Sequence, residues 1–102
     1  LAYIKGMQDN GVLAVAKHFP GLGDTSKDSH LELPVIVHDK ARLEDIELYS
    51  FQQAIAAGVA GIMVAHTYIP VYDQTMNRAI SLSPILVTQL LKKQLGFEGL
   101  VF

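Results

Sequence analysis

The sequence predicts an α/β fold on a parallel sheet, and three observations predict it. Three short runs, residues 12–16, 61–65 and 99–102, are apolar at nearly every position, as strands are when a sheet buries both its faces. Longer stretches with helical spacing separate these runs. The resulting order, α-β-(long loop)-α-β-(loop)-α-β, calls for crossover connections and hence parallel pairing. Such a sheet belongs to an open doubly wound layer or to a (β/α)8 barrel. A complete barrel takes about 250 residues, so a chain of this length would supply about three of its eight strands.

Each element has a local cause. Residues 1–8 read as the end of a helix stopped by Asn10-Gly11. The run 12–16 follows as a strand ending in Lys17-His18. Residues 42–57 form the strongest helical pattern: Leu48, Phe51 and Ile55 repeat at helical spacing, and Gly58 follows the last turn. The second strand, 61–65, ends at His66. Ser83-Pro84 is a good N-cap and first-turn pair for a helix over 85–95, with Gly96 as its stop. Lys92 and Lys93 in its last turn complement the helix dipole. The third strand, 99–102, stops at Phe102 with no turn after it. Together with a first residue, Leu1, that is not methionine, this leads to the expectation of a piece of a longer protein.

Composition narrows the function classes. Half of the 102 residues are apolar and 18% are charged, a globular composition rather than a disordered one. A net charge of −2 gives no reason to expect nucleic acid or an anionic membrane as partner. No apolar run approaches the ~20 residues of a membrane span. Cysteine is absent, which excludes disulfides, thiolate catalysis and thiolate metal sites. The compartment, cytoplasm or periplasm and beyond, stays open.

Chemistry is expected at the carboxyl ends of the strands, where α/β folds bind ligands. Lys17-His18 and His66 lie there. After the first strand runs F-P-G-L-G-D-T-S-K-D-S-H, residues 19–30. Pro20, Gly21 and Gly23 make a tight turn, and Asp24, Asp28 and His30 follow. Asp28 and His30 are two apart, so an extended segment projects them to one side. A carboxylate beside an imidazole sets its tautomer and favours its protonated form, as a general acid near neutral pH requires. Taken in isolation, a D-x-H reads first as a surface Asx-turn with a solvated histidine. The glycines stand too close for a phosphate-binding P-loop. An EF-hand begun at Asp24 would place Ser29 where glycine belongs and Val35 where the bidentate glutamate belongs. His18, Asp24, Asp28 and His30 have the donor types of a metal site, but their spacing matches no closed one, so no metal or cofactor is expected.

Residues 17–30, K-H-F-P-G-L-G-D-T-S-K-D-S-H, closely resemble the signature of family 3 glycoside hydrolases, specifically the β-N-acetylglucosaminidase branch. That pattern is K-H-F-P-G-H-G-D-T-x-x-D-S-H, and only Leu22, standing for a histidine, departs from it. L-E-L-P-V-I at 31–36, E-L-x-x-F at 47–51, A-I-A-A-G-V at 54–59, M-V-A-H at 63–66 and L-G-F-E-G-L-V-F at 95–102 also look like this family. The resemblance thus covers nearly the whole chain.

The resemblance implies a partial (β/α)8 barrel, with residues 1–102 as roughly the fifth to seventh strands of the catalytic domain. It implies a retaining β-N-acetylhexosaminidase that releases terminal β-linked N-acetylglucosamine from chitooligosaccharides or peptidoglycan fragments. Lys17 and His18 would bind sugar hydroxyls, His30 would be the acid/base, Asp28 would orient it, and His66 would line the pocket. The nucleophile, an aspartate in this family, would follow Phe102, so the 102 residues alone would be inactive and would need the remainder of the barrel. Alternatives are a family 3 β-glucosidase or xylosidase, against which the D-S-H loop argues, and a non-catalytic sugar-binding barrel.

Overall fold

The computed structural model describes residues 1–21, 33, 35–37, 39–75 and 77–102. Helix α1, Ala2–Asp9, ends where Asn10-Gly11 turns the chain: Gly11 has φ +80°, and its N–H reaches Gln8 O at 3.1 Å. Only a residue without Cβ takes that φ at little cost. The Gln8 side chain then clamps the start of the sheet. Its Oε1 accepts from Ala60 N at 2.9 Å and Ala14 N at 3.4 Å, and its Nε2 donates to Gly58 O at 2.9 Å.

Strand β1 is Val15–Phe19, β2 is Gly61–Val64 and β3 is Leu100–Val101. They form one parallel sheet in the order β1-β2-β3. The order and parallel pairing expected from sequence are found, but β1 lies later than residues 12–16. Val12 and Leu13 are exposed and precede the ladder, while Lys17 and His18 lie inside the strand. The ladder is set by backbone pairing with β2, which begins at Val15↔Gly61, and not by which side chains are apolar.

The expected burial of both faces holds for β2, where Gly61, Ile62 and Val64 are buried, but not for β1. Residues in register across parallel strands share a face. Ala16, Ile62 and Val101 are in register, and all three belong to or pack against the core. Val15, Gly61 and Leu100 lie on the opposite face, as do Lys17 and Met63, and none of these five packs into the core. Val15 and Leu100 are 42% and 54% exposed.

The covered face receives the helices. The long helix, expected over 42–57, begins with Lys40–Arg42, widens to a π-helical Leu43–Leu48 and continues as Tyr49–Ala56. Asp39 caps it, accepting the Arg42 N–H at 2.8 Å. Leu43, Leu48 and Phe51 are buried, and the Phe51 ring meets Phe19 of β1 edge-on, centroids 5.2 Å apart at 88°. Such a pair contributes about 0.5–1.5 kcal/mol beyond its area burial. The last helix, Ile85–Gln94, is π-helical, buries Leu86, Leu90 and Leu91, and ends before Gly96. Among the described residues no helix is long and apolar enough to cross a membrane.

Candidate active site

All three strands run the same way, so their carboxyl ends share one edge of the sheet. There β1 departs from regular pairing. Lys17 pairs with Met63 and Phe19 with Val64, so β1 spends two residues where β2 spends one, and His18 is the extra residue of a bulge. Bulges re-aim side chains and are frequent beside active sites. Lys17 is exposed and His18 half-buried. The Lys17–His18 and Phe19–Pro20 peptide bonds are cis.

The chain then turns sharply. Gly21 N donates to His18 O at 2.8 Å. Gly21 has φ +126°, and a Cβ there would stand 2.7 Å from Glu47 Cγ, so both conformation and space demand glycine. Residues 22–32, with Leu22, Asp24, Asp28 and His30, lie outside the described residues. Their flanks are placed: the chain leaves at Gly21, and on its return Val35 bridges Tyr68 in parallel, with Ile36 N donating to Tyr68 O at 2.9 Å. Both flanks therefore sit at the carboxyl end of β1 and β2.

His66 follows β2 by two residues and is exposed. Its Nδ1 lies 3.0 Å from Ser81 Oγ. Ser81 belongs to a short 3-10 turn, Ile80–Leu82, tied back to the strand end by Ile80 N donating to Thr67 O at 2.7 Å. Beside it Asp73, almost fully buried, accepts from Ser83 Oγ at 2.5 Å and from Thr75 N at 3.0 Å, with Arg78 Nε 3.4 Å away. The Ser83 hydroxyl above all, then the Thr75 N–H, holds the Asp73 carboxyl below the usual carboxylate range. Arg78 also donates to Thr75 Oγ1. Ser83 was expected as a helix cap, and Leu86 N does approach its Oγ at 3.4 Å, but its closer partner is Asp73.

Tyr72 contributes no proton chemistry near neutral pH. Burial, and secondarily the Glu44 carboxylate, pushes its phenol up to about 12. Among the described residues no group of three His, Asp or Glu side chains is placed to hold a metal.

Of the residues singled out from sequence, Lys17 and His18 lie in the bulged second half of β1 and His66 lies two residues past β2. The sequence gives no sign of the Ser81–His66 contact, of the buried Asp73, or of the second partner of Ser83. A lone aspartate after P-V-Y and a serine within I-S-L-S carry no pattern that announces a pairing across the loop.

Known proteins resemble this chain in sequence and in fold. The chain is 38% identical over 109 residues to β-hexosaminidase A of Pseudoalteromonas piscicida, covering 97% of this chain and 18% of that protein. It is 36% identical over 101 residues to the β-hexosaminidase of Stenotrophomonas maltophilia, covering 99% and 29%. Among solved structures, a glycoside hydrolase family 3 β-N-acetylglucosaminidase from Paenibacillus superposes with a TM-score of 0.92 at 43% identity, over 96% of this chain and 18% of that one. NagZ from Neisseria gonorrhoeae, in complex with N-trifluoroacetyl-D-glucosamine, superposes at 0.89 with 35% identity, over 99% and 29%. The chain thus spans less than a third of the length of these relatives. The family model described as the glycosyl hydrolase family 3 N terminal domain matches residues 1–102, and with the fold and the strand-end residues in place the chain belongs to that family.

Proposed function

We propose that the protein carrying this chain is a retaining β-N-acetylhexosaminidase that releases terminal β-linked N-acetylglucosamine from chitooligosaccharides or peptidoglycan fragments. The observation that carries this reading is the position of the signature. Lys17 and His18 stand in the bulge at the carboxyl end of β1, and His66 follows the adjacent end of β2. From that edge departs the segment holding Asp28 and His30. The relatives named as β-hexosaminidases and β-N-acetylglucosaminidase support the same substrate class.

In this reading Lys17 and His18 hold sugar hydroxyls, and His66 lines the pocket. His30 protonates the glycosidic oxygen and, as neutral imidazole, later takes a proton from water; Asp28 orients it. The mechanism is double displacement with retention, and the carboxylate nucleophile comes from beyond residue 102. The chain forms about three strands of a (β/α)8 barrel, roughly the fifth to seventh. The one-sided sheet supports that fold. A doubly wound layer places helices on both faces, whereas a barrel turns one face inward. Among the described residues, Val15, Met63 and Leu100 lie on the face turned away from the core on which the helices pack. The remainder of the barrel and a carbohydrate are the partners this reading requires.

The test compares aryl β-N-acetylglucosaminide, β-glucoside and β-xyloside as substrates for the full-length protein. The N-acetylglucosaminide is expected to be cleaved fastest, with retention. His30→Ala is expected to lose about 10²–10⁴-fold on chitobiose but far less on a substrate whose leaving group needs no protonation. Faster cleavage of the glucoside, or sugar binding with no cleavage, defeats the proposal.

A further inference from the structure

We infer that Ser81 is a positioning residue for His66, holding the imidazole by Nδ1 so that Nε2 is presented to the sugar. The inference rests on the reading above that this edge of the sheet binds a carbohydrate. Two exposed side chains 3.0 Å apart would by themselves make a weak, mobile contact. Here the backbone fixes both ends. Ile80 N donates to Thr67 O at 2.7 Å, which pairs residue 80 with 67; stepping back to 66 and forward to 81 brings the two side chains opposite each other.

The turn carrying Ser81 is held on its other side as well. Ile80 is fully buried, Leu82 N donates to Ala79 O at 2.9 Å and Ser83 N to Ile80 O at 3.0 Å. Ser83 is anchored in turn on the buried Asp73 carboxylate. His66 therefore meets a hydroxyl on a turn whose backbone is hydrogen-bonded on both sides. A hydrogen bond on one ring nitrogen sets the tautomer and orientation in which the other meets a ligand. His66 Nε2 has no partner among the described residues, and a sugar hydroxyl, able to donate or accept, matches either tautomer.

The experiment uses the full-length protein with Ser81→Ala, Ser81→Thr, His66→Ala and the Ser81→Ala/His66→Ala double variant. For an aryl β-N-acetylglucosaminide, Ser81→Ala is expected to raise KM about 3–10-fold, the loss of one net hydrogen bond, with kcat little changed. Ser81→Thr, which keeps the hydroxyl, restores KM. In the His66→Ala background Ser81→Ala adds nothing, because its only route to the sugar is gone. Ring-nitrogen NMR of His66 is expected to show one neutral tautomer in the wild type and a mixture in Ser81→Ala. An unchanged KM in Ser81→Ala, or an equal rise with and without His66, overturns the inference. Should the wild type hydrolyse no glycoside, the proposed function fails by itself. The NMR arm still decides: His66 ring resonances unaltered by Ser81→Ala, even in a less stable variant, overturn the positioning role.

Discussion

Asp73 shows how much one side chain settles at the candidate site. Its carboxylate sits at 2% exposure, which is tolerable only because a hydroxyl, an N–H and a guanidinium face it. Those partners favour the ionised form, so the folded state holds this proton less readily than the unfolded chain does. A depressed folded-state pKa contributes stability that is present above the ordinary value, 3.8, and is lost as pH falls below it. The protection of the Thr75 amide against hydrogen exchange is therefore expected to decline as pH drops through and below 4, after correction for intrinsic rates. Asp73→Asn is expected to lower protection at neutral pH and flatten that decline. A wild-type profile flat to pH 2 would contradict it. Gly21 is legible at the same scale. Its glycine was read as a tight turn, and the structure adds the reason it must stay one, the Glu47 side chain against its α-carbon.

Among the elements, the link between the long helix and β1 carries the site. Phe51 meets the ring of Phe19, and Phe19 directly follows the bulged His18. Phe51→Ala would remove a buried ring and leave a cavity under the strand end, costing about 3–5 kcal/mol. The expected result is a lowered denaturation midpoint in the full-length protein, together with a raised KM as the bulge loosens. A variant that loses stability with KM unchanged would show that the bulge is held without the helix. Helix ends were well read because Gly58 and Gly96 take positive φ, +78° and +70°, a local property. The π-helical widening over Leu43–Leu48 and Ile85–Gln94 had no such signal, since its apolar spacing is close to that of an α-helix.

At the scale of the whole molecule, the described residues pack the helices against only one face of the sheet. Parallel sheets are stable with both faces covered, and among the described residues Val15, Met63, Leu100 and Phe102 do not pack into the helix-covered core. Phe102 belongs to this group because its ring lies 3.0 Å from where a Cβ on Gly61 would stand. The barrel reading makes this face interior, and Val15→Asp in the full-length protein separates the possibilities. At a true surface position the change would stay within about ±0.5 kcal/mol. Inside a barrel the unpaired carboxylate is expected to cost several kcal/mol, seen as aggregation or a much lower melting temperature. A wild-type melting curve would remove the barrel reading.

By themselves the residues determined the α/β order, the parallel pairing, the helix stops and the 17–30 signature that marks the family. All of these are written in neighbours along the chain: periodicity, glycine, a contiguous motif. The tertiary structure alone decided where β1 begins, which face of the sheet lies open, that His18 is the bulged residue, and that Ser81 meets His66 while Ser83 meets Asp73. Each of those depends on which backbone groups pair across the fold, between residues 10 or more apart, and no local pattern encodes a partner that only folding brings near.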